Sequence, residues 1–584
     1  MLTKDYYNDF FEIGQQKINF SFFELHLPDD DPVYTLKKVM EELDFSGLLA
    51  CYSDKGRTGY NPIMMYAVVT YANMRGVRAV DRIVELCERD LAFIWLTKGQ
   101  KPRRDAFYDL KGKKLTGEVL DELNYQFLRR LKKEGLLTLK ELFIDGTKIE
   151  ANANRYTFVW RGTLNYHLAG LLDTIDALYE KYNTFLRENG YAPKYGLGDA
   201  RMFVIEGMEK VRRVIEENRK RKLTKHKKLP NNTILEIDNC SPLEILKLQR
   251  NLTRIARGEG IEFVQGKGKH KPEIQKLYEE LEECGTRLMG YKDCFEIMGK
   301  DRNSYSKTDL EATFMRMKED HMLNGQLKPA YNVQIAVENY FIIHGYVSNN
   351  RTDYNTLIPV LEKHRKAFGE DSLKEVTADS GYCSEKNLLY LKRKGITSYI
   401  KLQDHEKRKS RAYQEDIGKY YNMKCEIFED EHYYVCHDGR ELRHIRTEKK
   451  EQDGYTQTIE VYGCADCGGC KHKSKCLYGY KEEKPDREKV MKINERWEEL
   501  KEESNRNIQS EKGILNRQIR SIQTEGHFGD IKENENFRRF HYRSAERVYK
   551  EFMLYAIGRN INKYHRFLHE GIQKYEGKRE QKTA

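Results

Sequence analysis

The sequence predicts a multidomain α/β protein whose centre is a mixed sheet flanked by helices. Three observations predict it. The chain has 584 residues, too many for one hydrophobic core, so three or four domains are expected. Its apolar periodicity changes from helical to period two and back, with strand-like runs gathered in two regions. Two of those runs, "LFIDGT" and "EVTADSGY", also place a bare aspartate at a strand end, Asp145 and Asp379.

Residues 1–137 read as helical. Asn61 is an N-cap followed by Pro62 at the first helical position, and "PIMMYAVVTYANMR" stops at Gly76. Further helices run through "AVDRIVELCERD" and "LTGEVLDELNYQFLRRLKKEG", the latter ending at Gly135. Arg57, Arg75, Arg78, Arg82, Arg103 and Arg104 stud this region. That suits a DNA-binding bundle and equally an ordinary one.

Residues 138–155 hold the first strand. Leu142-Phe143-Ile144 is a short buried run, and Gly146 permits a bend after it. An ionised Asp145 there is costly unless something meets it: either backbone donors in a turn or a metal ion. From 156 to 305 the chain is again helix-rich and basic, with "HLAGLLDTIDALYEKYNTFL" at helical spacing. Residues 210–228 carry ten Lys or Arg against two Glu, +8 of the chain's +11. Such a block is either a nucleic-acid contact or a solvated arm.

Residues 306–402 return to period two. "KPAYNVQIAVENYFIIHGYVS" is a hairpin with Tyr331, Val333, Ile335 and Val337 on one face and Glu338-Asn339 as its turn. A helix, "DYNTLIPVLEKHRKAFG", leads to the strand ending at Asp379; Ser384 caps the helix "SEKNLLYLKRKG", and "ITSYIKL" is a last strand. This order lets the first strand and the 374–379 strand lie side by side, bringing Asp145 and Asp379 to one edge of the sheet.

Residues 403–485 read as a small β-rich insertion containing "CADCGGCKHKSKC". Cys464, Cys467, Cys470 and Cys476 either wrap one structural Zn²⁺ or pack as plain thiols. Residues 486–584 are helical. There Glu525 stands among His527, Lys532, Arg538, Arg539 and Arg543, which suggests an acid aimed inward. Val548, Phe552, Tyr555 and Ala556 form a core stripe. The start lacks a charged n-region leading into an apolar h-region, and "PIMMYAVVTYANM" is too short and interrupted to span a bilayer. A cytoplasmic protein without a membrane partner is expected.

Four ordered segments, "FIDGTKIEANANRYTFVW", "GQLKPAYNVQIAV", "VTADSGYCSEKNL" and "TEGHFGDIK", resemble insertion-sequence transposases of the RNase H-like DDE superfamily, in particular the group numbered eleven-eighty-two. "GRTGYNPIMMYAVVTYANMRGVRAVDRI" resembles the amino-terminal region of such proteins. The resemblance implies an RNase H-like core with a helical N-terminal DNA-binding domain, a helical basic insertion and the Cys-bearing β insertion. It implies that Asp145, Asp379 and Glu525 are catalytic acids holding two Mg²⁺, with Mn²⁺ as a substitute. Two such ions stabilise the entering and leaving oxygens of an in-line phosphodiester displacement.

Lys532 matches a DNA-contacting lysine of a related clade. The arginine of that clade stands four residues before the glutamate, where this chain has Ser521; Arg520 is one position off. Arg538, Arg539 and the run Arg219, Lys220, Arg221, Lys222 are further candidates for DNA contact. Asp309, Glu311 and His527 are secondary candidates for the site, with surface or turn roles the plainer reading, and Lys148 and Asn152 are secondary candidates for contact with the DNA backbone. The implied activity is binding of the element's terminal repeats, cleavage at its ends and joining of the 3′ ends to target DNA. The partner is double-stranded DNA, with at least a homodimer in the synaptic complex. The rivals are a metal-dependent nuclease that never joins and a non-catalytic DNA-binding regulator.

Overall fold

The computed structural model describes residues 27–52, 59–200, 242–266, 268–299, 302–317, 325–428, 431–452, 454–480 and 487–569. Helices α1 (Pro32–Met40), α2 (Pro62–Met74), α3 (Val80–Arg89) and α4 (Gly117–Lys133) open the chain. The Asn61 side chain caps α2 by accepting from the N–H groups of Ile63 and Met64, and Gly76 closes it with φ +70°. Every residue of α2 is buried, as expected for a helix that is apolar all round.

Strand β1 (Glu141–Glu150) follows. The chain then leaves the sheet through β2 (Phe158–Trp160) and helices α5 (Arg161–Glu188), α6 (Pro242–Gly258) and α7 (Glu273–Met298). These helices share a core of their own around Leu172, Leu252 and Leu281. Strand β3 (Ser304–Ser306) pairs antiparallel with β2 and closes the excursion. The basic block, residues 210–228, lies outside the described residues.

The central sheet is completed by β4 (Thr313–Arg316), β5 (Leu327–Glu338), β6 (Phe341–Ser348), β7 (Glu375–Ala378) and β8 (Thr397–Ile400). Its order is β4-β5-β1-β7-β8, with β6 pairing β5 beyond the end of β4. β1, β5 and β6 are antiparallel, whereas β1, β7 and β8 are parallel. Parallel neighbours need crossovers, and α8 (Leu357–Phe368) and α9 (Glu385–Arg393) supply them.

Three sequence expectations are corrected here. β1 does not end at Asp145 but stays paired with β5 through Glu150. Gly146 makes no bend; a Cβ there would lie within 2.9 Å of the Gln334 amide carbon, so the glycine makes room for that side chain. The hairpin turn is Asn339-Tyr340, with φ of 45° and 64°, because Glu338 still pairs with Phe341. Two consecutive left-handed residues match the right-handed twist of the strands.

The Cys-bearing insertion is an antiparallel sheet of β9 (Lys424–Phe428), β10 (Glu431–Val435), β11 (Glu441–Gln452), β12 (Tyr455–Cys464) and β13 (Val490–Ile493). It thus runs past residue 485. Helices α10 (Glu495–Gln509) and α11 (Glu511–Arg520) follow, then π-helical turns at Ser521–Glu525 and Asp530–Asn534, and finally α12 (Ala545–His569).

One apolar core runs from the N-terminal helices through Leu142 and Ile144 of β1 to Leu554 and Ile557 of α12. Inside it a polar relay joins three elements to the segment leading into β1. The Tyr125 hydroxyl of α4 reaches Nδ1 of His344 at 3.4 Å, Nε2 of His344 lies 2.9 Å from Nδ1 of His364, and Nε2 of His364 lies 3.1 Å from the Leu139 carbonyl oxygen. A proton on Nε2 of each ring makes every step a hydrogen bond and anchors the entry to β1. No helix among the described residues is long and apolar enough to cross a membrane.

Candidate active site

The last parallel pair between β1 and β7 is Ile144 with Ala378. Asp145 and Asp379 come next on their strands. Side chains alternate faces along a strand, so the two carboxylates project from the same face at adjacent positions. Asp145 is held firmly: it is 8% exposed, and its Oδ1 accepts from the Gly146 N–H at 2.8 Å. Its Oδ2 accepts from the Thr524 hydroxyl at 3.3 Å. Asp379 is exposed, and its carboxylate accepts from the Ser380 N–H at 2.6 Å, the first donor of the turn that follows β7.

Arg520 and the first π-helical turn cover this face. Nη1 of Arg520 stands 3.0 Å from Asp145 Oδ2, an ion pair by distance although not aligned as a hydrogen bond. Its Nη2 is 3.9 Å from Glu525 Oε1. One guanidinium therefore links two of the three predicted acids. The Glu525 side chain is 63% exposed, so it is not aimed into the interior as expected.

The one-residue offset of Arg520 now has a physical account. A π-helix bonds residue i to i+5, where an α-helix bonds i to i+4. Across Ser521–Glu525 the extra residue brings position −5 onto the face that −4 would occupy in an α-helix. Arg520 and Glu525 accordingly share one side.

Beneath the opposite face lies a polar cluster that the sequence did not suggest. Fully buried Gln334 donates to Asn332 Oδ1 at 3.0 Å and Asp353 Oδ1 at 2.9 Å, and it accepts from the Tyr382 hydroxyl. Asn332 also donates to Asp353 Oδ1, at 2.7 Å. Burial raises the Tyr382 phenol well above its ordinary pKa, and the Asp353, Asp145 and Asp379 carboxylates add to the rise. It therefore stays a neutral donor. Tyr382 follows Asp379-Ser380-Gly381, so the cluster braces the loop that bears the second aspartate. The only signal was that Asn332 and Gln334 occupy the alternate positions of an otherwise apolar strand.

The remaining candidates are less central. Lys532 is 6% exposed. The Arg538 side chain is 48% exposed and pairs with Glu533, while Arg539 donates to the Ala153 carbonyl at 3.3 Å. Buried His527 accepts from Nε of Arg559 at 2.9 Å and faces the Tyr340 carbonyl at 3.0 Å. Burial, reinforced by Arg559, lowers its pKa to about 3, so it is neutral and structural. Asp309, expected at the surface, is 5% exposed and accepts from the Tyr331 hydroxyl at 3.0 Å; Glu311 accepts from the Ala545 N–H. Both anchor the start of α12. Asn152 donates to the His541 carbonyl at 2.7 Å, whereas Lys148 is half-buried on β1. Arg219, Lys220, Arg221 and Lys222 lie outside the described residues, as does Arg57.

Among the cysteines, Cys464 and Cys467 are buried in a small core with Leu442, Tyr462 and Met491, and Cys436 packs against it. Burial, with Cys467 and Cys436 close by, pushes the Cys464 thiol up to about 11. The Cys467 and Cys470 sulphurs each face a backbone N–H at 3.4 Å, from Lys489 and His472. Among the described residues no group of three His, Cys, Asp or Glu side chains is set to hold a metal ion.

Two family models match. One, described as a transposase DDE domain, spans residues 435–565 and so includes Arg520, Glu525 and Lys532. The other, described as a transposase domain (DUF772), spans residues 21–110. No curated protein and no solved structure matches the chain. Both matches, one near each end of the chain, are to transposase domains, and together they indicate an insertion-sequence transposase of the DDE type.

Proposed function

We propose that the protein binds the terminal inverted repeats of its own element, cleaves DNA at those ends and transfers the 3′ ends to target DNA. The observation that carries this reading is the strand register, which seats Asp145 beside Asp379 while Arg520 ties Asp145 to Glu525. In this reading β6-β5-β1-β7-β8, three antiparallel strands and then two parallel ones, form an RNase H-like core.

The family implies divalent ions, and the chemistry of the donors suits them, although the three acids are not gathered around one point in this structure. Asp145, Asp379 and Glu525 offer only carboxylate oxygens, the ligands Mg²⁺ prefers, and a cation, Arg520, already stands against Asp145. These three acids would hold the ions, which when bound stabilise charge on the entering and leaving oxygens of the phosphodiester. The chain's own groups set the geometry. Pairing on both sides of β1 restricts movement of Asp145, while the Gly146 N–H and Thr524 hydroxyl orient its carboxylate. Arg520, once released from Asp145, is placed to meet a phosphate, whose oxygens a guanidinium matches in a two-point contact. Arg538 and the basic run Arg219–Lys222 supply outer contacts to the DNA backbone, and these are salt-sensitive. Joining two ends requires at least a dimer in the working complex.

The test is cleavage of labelled DNA carrying the element's ends, with Mg²⁺ or Mn²⁺, by wild type and by Asp145→Ala, Asp379→Ala and Glu525→Ala. The expected result is end cleavage and joined products from wild type, lost in all three variants while DNA binding persists. Variants that cut as well as wild type would overturn the assignment. Cleavage without joined products would make the protein a nuclease, and binding without cleavage a regulator.

A further inference from the structure

A second charged site lies away from the carboxylates. Arg78, just before α3, has its Nη1 3.4 Å from the Arg539 carbonyl oxygen, and Arg539 bridges to Glu150 at the end of β1. At about 3.4 Å per residue, Glu150 lies about 17 Å along the strand from Asp145. Beside Arg78 a cavity of about 180 Å³ opens between the N-terminal helices and α12. A single water needs about 10–15 Å³ of such space, so the cavity holds far more than one.

Its charged lining is Arg78, Lys111, Lys113, Arg547, Lys550 and Glu551. The pairing is uneven. Glu551 is taken by Arg78 Nη1 at 2.7 Å and by the His541 N–H at 3.0 Å. Lys550 is satisfied by the Gly112 carbonyl and Glu546, each at 3.1 Å. Lys111 is different: it is 7% exposed and, among the described residues, makes one hydrogen bond, to the Arg78 carbonyl at 3.2 Å. Among the described residues two of its three ammonium protons therefore have no nitrogen or oxygen acceptor, the Tyr542 ring at 6.0 Å being the other neighbour, although the group is buried and lines the cavity. Burial lowers its pKa to about 8, with Glu551 opposing that fall and Arg78 adding to it. An ammonium in such a place is costly without an anion. Arg547 is exposed and adds positive charge to the lining, whereas Lys113, with a 79% exposed side chain, is paired with Asp109 at 3.0 Å.

We propose that this cavity is a phosphate site, and that the phosphate it takes belongs to the DNA backbone. A phosphate oxygen accepts strongly from charged N–H donors, and such an acceptor is what the Lys111 ammonium needs. The DNA source rests on the transposase reading above; the phosphate chemistry does not.

Two measurements on the full chain test it. First, the unfolding midpoint is read with and without millimolar inorganic phosphate, at constant ionic strength, for wild type, Lys111→Met and Arg547→Glu. Phosphate is expected to raise the midpoint of wild type by a few degrees, that of Arg547→Glu less, and that of Lys111→Met not at all. Second, duplex binding is followed by anisotropy across a salt series. Lys111→Met is expected to bind several-fold more weakly, with the slope of log K against log salt reduced by about one. Arg547→Glu, an exposed change that leaves the packing alone, is expected to weaken binding too. Unchanged affinity and slope in both variants would overturn the DNA assignment, and an identical phosphate response in wild type and Lys111→Met would overturn the site itself. If wild type binds no duplex, the transposase reading fails, and with it the DNA source; the phosphate measurement alone then decides the pocket.

Discussion

Replacing Arg520 by methionine removes the cation from Asp145 at nearly constant side-chain length. The size of the effect follows from the geometry. Two unit charges 3.0 Å apart attract by about 5 kcal/mol at an effective dielectric constant near 20. Part of that offsets the cost of having taken both groups out of water, since their side chains are only 14% and 12% exposed. Removing one partner of such a pair typically costs about 3–5 kcal/mol. There is also a ceiling: protonating an ordinary aspartate at pH 7 costs about 4 kcal/mol. Asp145 keeps its bonds from the Gly146 N–H and the Thr524 hydroxyl, which lowers the figure further. The expected loss for Arg520→Met in chelator is therefore about 2–3 kcal/mol, read as a lower unfolding midpoint.

The same reasoning fixes the response to metal. In the proposed reading Arg520 and a divalent ion compete for Asp145, so wild type would give up the ion pair when the ion binds. Arg520→Met has nothing to give up. It should bind Mn²⁺ at least ~10-fold more tightly, and millimolar Mg²⁺ should bring its stability to within about 1 kcal/mol of wild type. Scanning calorimetry in chelator and titration calorimetry with Mn²⁺ measure both. Cleavage should nevertheless fall, because the variant cannot engage the phosphate. Equal midpoints in chelator together with equal Mn²⁺ affinity would refute the competition.

Gln334→Leu should strand the buried Tyr382 hydroxyl and loosen Asp353, costing about 2–4 kcal/mol and slowing cleavage by slackening the Asp379 loop. Adding Tyr382→Phe should recover part of that stability, and a double variant no more stable than the single one would count against the cluster. For pH, burial lowers the His364 pKa to about 4 and depresses His344 in the same direction. An unfolded imidazole protonates below about 6.5, so the unfolded chain binds the extra proton between pH 6.5 and 4. Stability present above pH 6.5 should thus be lost as pH falls through 4, by up to about 3 kcal/mol from His364 alone. Urea midpoints at stepped pH read this, and a His364→Gln variant with an undiminished pH slope would refute it.

Much of the architecture could be read from local chemistry. Asn61-Pro62 and Gly76 bound α2, Ser384 caps α9 through the Asn387 N–H, and the alternation of Tyr331, Val333, Ile335 and Val337 fixed one face of β5. These signals depend on residues near each other in sequence. What failed depended on neighbours far away. Gly146 looked like a bend because nothing nearby in sequence shows that Gln334, on another strand, fills the space over it. Glu338 looked like a turn residue because it is charged, yet its carboxylate is buried and accepts from the N–H groups of Thr138 and Leu139 at 2.6 and 2.8 Å. Asp353 gave no hint of its place among Asn332, Gln334 and Tyr382 for the same reason.

The candidate site divides along the same line. That Asp145 and Asp379 would be neighbours followed from the order of strands and helices alone, because a parallel crossover returns the chain beside its starting strand. Glu525, proposed as the third acid, and Arg520 could not be placed by counting. In an α-helix each residue turns by about 100°, so positions five apart point about 140° away from each other, and Arg520 would have faced away from Glu525. The π-helical turn removes that conflict by taking one residue more per turn, and the 3.0 and 3.9 Å contacts follow. A motif spacing records residues, whereas a site is assembled from turns. A shift of one residue is therefore silent in the geometry when the helix takes it up as a π turn, and with Ser521 four residues before Glu525 it is Arg520, five before, that stands between Asp145 and Glu525.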